Sequence, residues 1–292
     1  MDGSRLREYW DWVAENSFHI RQSRPTVSDI YYRHIVVSLI EELTSGLWWR
    51  ILKLDAYNEA TSTQYGFHLL REGRDLVLVD ISAGIAGRAA ERAMEKNVYG
   101  SVHMIVGDFR RLPLRRDCFD MTCSFGSIEH VADYQRAFYE QIRVVRPGGE
   151  ILVGVPNIAN YSMRMLFTKI LHILGPMRKV TNPERHFLPS QLLSMAKRLG
   201  LNSLVLSGYH LFPKQLRWLD LWLDSRGRNS MGKSRFFRWL LKTFTILEKC
   251  HPFTRNFAEM IIVKGVKRGG QGRELRSLEG EVESIEMLHS AT

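Results

Sequence analysis

The chain has 292 residues, 45% of them hydrophobic and 25% charged, with a net charge of +10 and a pI near 9.6. This is the balance of a globular protein with its own core, which excludes a disordered or fibrous chain. Cys118, Cys123 and Cys250 form neither an even set nor a ligand spacing, so they argue against a disulfide framework and a structural zinc site; no metal is expected.

Residues 1–49 read as a helical N-terminal extension without a signal-peptide core, and a cytoplasmic protein is expected. The longest run free of Asp, Glu, Lys and Arg, residues 199–213, is too short to span a membrane. Short apolar runs at 51–54 and 76–79 each end on an aspartate, Asp55 and Asp80, as buried parallel strands do. Between them 60–72 is compatible with a helix, and 83–96 is rich in the helix formers Ala, Arg, Glu and Met. Strands follow at 103–106, ending on Gly107-Asp108, and at 119–124, then a helix at 133–145. Arg146-Pro147-Gly148-Gly149 reads as a helix stop with glycine at the C-cap, before a strand at 151–155. Helices are predicted at 162–174 and at 190–199, the latter with Ser190 as N-cap and Gly200 as C-cap. Strands at 203–207 and 260–263 form an antiparallel pair at the edge. Residues 213–256 interrupt that pair with two amphipathic stretches, and 268–292 form a flexible tail with a weak helix at 279–287. The pattern is α/β: a doubly wound, mostly parallel, seven-stranded sheet with added helices, in one domain over 50–267.

Ligands of such sheets bind at the carboxyl ends of the strands. Asp55, Asp80, Asp108 and Ser124 stand at four successive ends. An acid after the second strand suits ribose hydroxyls, and one after the third accepts from an adenine amino group, so an adenosine ligand is implied. The first loop selects which one. A pyrophosphate needs glycines whose backbone N–H groups approach it. Residues 55–61 (DAYNEAT) contain no glycine and carry the carboxylates of Asp55 and Glu59, which would repel a phosphate. S-adenosylmethionine (SAM), with a sulfonium, an ammonium and no phosphate, suits that loop. A nicotinamide dinucleotide does not.

At these residues the chain resembles the class I SAM-dependent methyltransferases over roughly 45–210. The resemblance rests on Val79-Asp80-Ile81-Ser82, on residues 107–113 (GDFRRLP), on Cys118-Phe119-Asp120 through Ser127-Ile128-Glu129-His130-Val131, and on Val145-Arg146-Pro147-Gly148-Gly149. It implies a Rossmann-like methyltransferase fold. Asp80 followed by Ile81 would hold the ribose, Asp108 with Phe109 would read adenine, and Ser124 would lie beside the methionine moiety. The departure is the first motif. Lys53 stands where the family has an acid, and Asp55, Tyr57 and Glu59 stand at its three glycines, in what looks like a minority variant whose Asp55, Asn58 and Glu59 contact the cofactor.

His130 and His186 are candidate general bases for an acceptor that must lose a proton. The implied reaction is methyl transfer from SAM to an oxygen, nitrogen or carbon of a small hydrophobic acceptor. The rival reading is a methyltransferase-like binding or scaffold protein that has lost the cofactor, for which Tyr57 and the missing glycines speak. Residues 213–256 carry 10 basic against 3 acidic side chains, interleaved with aromatics. They read as helices packed on their own domain, or as a peripheral contact with an anionic membrane surface. No nucleic-acid-binding motif accompanies them, and no specific nucleic-acid partner is expected.

Overall fold

Alternation fixes the centre of the molecule. The structure, a computed structural model, describes residues 3–21, 24–70, 73–160, 184–227, 230–250 and 256–269. In β1 (Arg50–Leu54), Leu52 and Leu54 join the core on one side of the sheet and Ile51 that on the other, so the period of two puts Lys53 on the side of Ile51. All four are fully buried, as a central strand of a two-faced sheet requires. β1 pairs in parallel with β2 (Asp75–Asp80) and β4 (Phe119–Phe125), bringing Leu54 opposite Val79 and Lys53 opposite Cys123. β3 (Val102–Val106) lies outside β2, and β5 (Val145–Pro156) lies beyond β4. β7 (Met260–Lys267) runs antiparallel between β5 and β6 (Leu201–Tyr209), completing a seven-stranded sheet ordered β3-β2-β1-β4-β5-β7-β6. This is the expected doubly wound, mostly parallel architecture.

One face is covered by α3 (Val27–Leu43), α4 (Tyr57–Ala60) and α5 (Ala83–Glu95), through Ile35, Leu39, Ala60, Ile85 and Ala89. The other is covered by α6 (Tyr134–Val144) and α7 (Pro189–Arg198), through Phe138, Ile142, Leu192 and Ala196. Ahead of α3 lie α1 (Gly3–Asn16) and α2 (Phe18–Arg21). Between β6 and β7 the chain forms α8 (Lys214–Ser225), α9 (Ser230–Lys233) and α10 (Arg235–Cys250). Met260 pairs with both Tyr209 and Pro156, so this insert leaves the sheet at the edge where the parallel strands end.

Three local expectations change. The helix expected over 60–72 is reduced to α4 and a single 3₁₀ turn at Gly66–Leu69. The hydroxyls of 61–63 explain the break: Thr61 donates back to the Asn58 carbonyl (2.9 Å), while Ser62 (2.5 Å) and Thr63 (3.3 Å) donate to Asp29. Arg146-Pro147-Gly148-Gly149 is not a helix cap. α6 stops at Val144, and these four residues open β5, where a Cβ on Gly149 would lie 2.5 Å from Val145 Cγ1 and 2.7 Å from the Asp120 carbonyl. α7 is opened by Pro189 after Leu188, not by Ser190, and Gly200 follows it at φ +80°. The helices expected at 162–174 and 279–287, and the tail from 270 onward, lie outside the described residues.

Asp29 ties the N-terminal helices and the insert to the first loop. It forms a reciprocal capping box with Thr26 at the start of α3 and meets His19 Nε2 at 3.2 Å and Arg217 Nη2 of α8 at 2.9 Å. Burial alone would raise this carboxyl, but Arg217 and His19 outweigh it and hold the group well below the usual carboxylate range. A second tie is Glu248 of α10, which accepts from the Tyr31 hydroxyl and from the backbone N–H groups of His210 (3.1 Å) and Leu211 (2.8 Å).

Candidate active site

The first loop is built around a buried ammonium. Lys53 Nζ lies 3.0 Å from Asp55 Oδ1, 2.9 Å from Glu59 Oε2 and 2.8 Å from the Asp55 carbonyl, with the Tyr65 ring 5.1 Å away. Burial works against this charge, yet Asp55 and Glu59 reverse the balance and hold its pKa above the ordinary lysine value. Glu59 is fully buried at α4; desolvation raises its pKa although Lys53 opposes the shift. Its Oε1 accepts from the Gly66 N–H at 2.9 Å, and a Cβ at Gly66 would sit 2.6 Å from that oxygen. Asp55 is left-handed at φ +63°, which turns its carboxylate onto Lys53, the Tyr57 N–H and the Ser127 hydroxyl. Asn58 lies beside them, its amide donating to the Tyr65 hydroxyl at 3.3 Å. The loop therefore presents side-chain charge where a glycine loop presents backbone N–H.

Asp80, at the end of β2, is 5% exposed and accepts from Ala56 N–H (2.9 Å) through one carboxylate oxygen and from Ser82 N–H (2.8 Å) through the other. It thus joins the first and second loops while each oxygen keeps a further lone pair. Desolvation pushes its pKa up to about 7, against the lowering by the two N–H groups. Asp108 is half-buried and turned to Arg110, whose Nη2 lies 2.6 Å away and whose Nε and backbone N–H also bond it. Ile81 and Phe109 are buried in the same apolar cluster. Ser124 is fully buried at the carboxyl end of β4, and its hydroxyl has no hydrogen-bond partner among the described residues.

His130 ends the 3₁₀ turn Ile128–His130 after β4, its ring edge-on to Trp10 of α1 at 5.3 Å. His186 lies on a strand-like segment that Arg185 N–H (to the Glu129 carbonyl, 3.1 Å) and Phe187 N–H (to the Pro156 carbonyl, 2.9 Å) hold against the ends of β4 and β5. The two histidines thus sit on neighbouring segments at one edge of the sheet. α1 crosses the same edge. Leu6 is buried in the cluster of Ile81 and Phe109, Asp11 accepts from the Ser82 hydroxyl at 2.6 Å, and Trp10 lies 6.1 Å from the Tyr57 ring.

Lys53, Ser127 and Asp11 were not among the residues assigned to the site from sequence. Lys53 was visible as a charge inside an apolar run, and Ser127 as the residue opening Ser-Ile-Glu-His. Asp11 carries no local signal, because its contact with Ser82 depends on how α1 is laid across the sheet.

The methyltransferase-domain family matches residues 61–153, a stretch that begins just past the first loop and includes Asp80, Asp108 and Ser124. The demethylmenaquinone methyltransferase of Mycobacterium tuberculosis is 34% identical over 126 residues, 43% of this chain and 47% of that protein. A Thermotoga maritima structure described as a SAM-dependent methyltransferase, possibly acting on histamine, superposes with a TM-score of 0.54 at 14% identity, over 91% of this chain and 97% of that one. Residues 61–153 thus match the methyltransferase-domain family, and the fold is the one seen in SAM-dependent methyltransferases. A phosphoethanolamine N-methyltransferase of the nematode Haemonchus contortus, solved with S-adenosylhomocysteine (SAH), matches with a TM-score of 0.56 at 15% identity, over 90% of this chain and 60% of that one. The chain spans about half the length of the curated relatives it matches.

The residues at these strand ends fit SAM, the cofactor of the matched family. The Ser124 hydroxyl is a buried polar atom without a partner among the described residues, Asp80 keeps acceptor capacity, and the first loop sets two carboxylates, Asp55 and Glu59, around the one ammonium of Lys53. The Asp108 carboxylate is largely taken up by Arg110, which bonds both of its oxygens. Ribose hydroxyls donate to a carboxylate, so a proton on Asp80 opposes binding. If Asp80 accepts from the ribose, then with its pKa near 7 SAH affinity rises with pH through that value and levels off above it, falling by up to about tenfold per unit below. Calorimetric titrations from pH 6 to 8.5 measure this, and a flat profile contradicts the placement of the ribose at Asp80.

Proposed function

We propose that the protein transfers the methyl group of SAM to a small hydrophobic acceptor. The observation that carries this reading is the set of polar groups at successive strand ends, Asp55, Asp80, Asp108 and Ser124, gathered at one edge of the sheet behind a first loop charged to suit a sulfonium. When bound, SAM supplies an electrophilic methyl group whose positive charge is dissipated on transfer, so orientation of the acceptor provides much of the rate. In this reading Asp80 and Ile81 hold the ribose, Asp108 and Phe109 the adenine, and Asp55, Asn58, Glu59 and Ser124 the methionine end. His130 or His186 takes the proton that the acceptor loses. The hydrophobic acceptor class is supported by the aromatic side chains of Trp10, Tyr57 and Tyr65 around the first loop, and by the quinone acceptor named for the mycobacterial relative.

One observation favours a second reading, a methyltransferase-like binding or scaffold protein that has lost the cofactor. α1 buries Leu6 against Ile81 and Phe109 and bonds Ser82 through Asp11, which closes the edge where the cofactor enters. The decisive experiment incubates the full chain with methyl-labelled SAM and a panel holding a demethylated naphthoquinone, a phenol and an amine, and measures label in each product. Label in the quinone or phenol supports the proposal. No SAH binding by the folded chain and no label in any acceptor favours the binding protein, and label in the amine alone overturns the hydrophobic-acceptor assignment.

A further inference from the structure

The face that α10 turns outward belongs to neither the core nor the site. Its inner side is settled: Phe237 and Leu241 join the core, and Glu248, the helix's one carboxylate, is buried on Tyr31 and the backbone of His210 and Leu211. The outer side divides into two adjoining arcs at the helical 100° per residue. One arc carries Arg235, Arg238, Lys242 and Lys249, all exposed. The other carries Phe236, Trp239, Ile246 and Leu247, exposed by 67%, 60%, 51% and 43%. Side chains of that size are seldom left so open in a row on one helix.

We infer that this face of α10 docks on an anionic phospholipid surface. The argument is charge complementarity joined to depth. Four cations stand on the outer side with no exposed carboxylate on the same helix, and phosphate-bearing headgroups are the matching partner. The neighbouring arc supplies an indole and a phenyl ring, which belong at the headgroup level, together with Ile246 and Leu247, whose aliphatic chains reach the acyl region and stack no nucleic-acid base. Basic stems lying beside the apolar arc keep their charges among the headgroups while their methylenes follow it inward. α8 offers a second exposed anchor, Trp218, 45% exposed and stacked with Trp222 at 6.3 Å. The helix does not cross the bilayer: no helix among the described residues is long and apolar enough. It is fixed to the domain by Phe237, Leu241 and Glu248, so the contact is peripheral and carries the whole domain with it.

The test uses the purified full chain in sedimentation with vesicles of phosphatidylcholine alone and with about 30% phosphatidylglycerol added. Binding to the mixed vesicles, weaker at high salt and weaker still to neutral ones, is expected. Phe236→Ser with Trp239→Ser, and separately Lys242→Glu with Lys249→Glu, each lower it by about tenfold or more. Because these side chains point to solvent, both variants melt as the wild type does, which separates lost docking from lost fold. Vesicle binding is read without SAM or acceptor, so its outcome is independent of the methyl-transfer proposal. Equal binding to both compositions, wild-type binding by both variants, no sedimentation at all, or binding of single-stranded RNA in preference to vesicles would each overturn the inference.

Discussion

Lys53→Met lowers the thermal midpoint by roughly 10 °C, the shift that a loss of about 3–5 kcal/mol produces in a domain of this size. The cause is not the loss of an attraction alone. Lys53 is fully buried between Asp55 and Glu59, and removing it leaves a fully buried Glu59 carboxylate with its desolvation uncompensated. The effect carries a pH signature. Glu59 is already raised above its ordinary value by burial and is raised further without the ammonium. A group whose folded pKa exceeds its unfolded one stabilises below the unfolded value and loses that contribution as pH rises through the folded value. The variant is therefore closest to wild type near pH 4 and furthest from it near pH 8. Adding Glu59→Gln recovers much of the midpoint at pH 8. Thermal melts of the two variants across that range are the measurement, and a Lys53→Met midpoint equal to wild type at pH 8 contradicts the role given to the buried cluster.

The second large effect concerns the ligand. Asp80→Ala weakens SAH binding by about 100-fold or more, because two hydroxyl hydrogen bonds to a carboxylate are lost, worth about 1.5 kcal/mol each at the low end. Alanine also unpairs the N–H groups of Ala56 and Ser82, so Asp80→Asn is the companion variant. Asparagine keeps one acceptor for those groups and removes the charge. It is expected to melt within a few degrees of wild type and still bind at least tenfold more weakly, by about 1.4 kcal/mol. Wild-type affinity in a folded Asp80→Ala protein would place the ribose elsewhere.

The sheet was legible because its strands obey a local rule. Residues 76–79 are apolar on both faces, 51–54 are so but for Lys53, and both runs end on a carboxylate, which is what a central parallel strand looks like at any depth in the fold. Elements whose ends depend on a distant partner were harder to read. Nothing local says that Ser62 and Thr63 will turn to Asp29 rather than continue a helix, since Asp29 arrives from another part of the chain. Arg146-Pro147-Gly148-Gly149 carries strong turn signals, but the approach of the Asp120 carbonyl to Gly149 is a fact of strand packing. The same division holds at the site. Asp80 and Asp108 follow from strand ends and spacing, and the charges of the first loop were plain in its residues. The arrangement of those charges around Lys53, and the placement of α1 over Asp80's neighbours through Leu6 and Asp11, depend on tertiary packing.

The position of β7 imposes an order on biosynthesis. β6 has no neighbour in the sheet except β7, and β7 is made only after residues 210–259 have been added. While the chain emerges, β6 and its helix α7 have no β7 to pair with, and the exposed edge of β5 waits for a segment made only after the insert. Closure entropy for so long a connection rises only slowly with its length, so the delay is set by synthesis more than by search. A nascent chain halted before Met260 consequently holds five strands in register, with β5 left as an open edge and β6 unpaired, the form most in need of a chaperone.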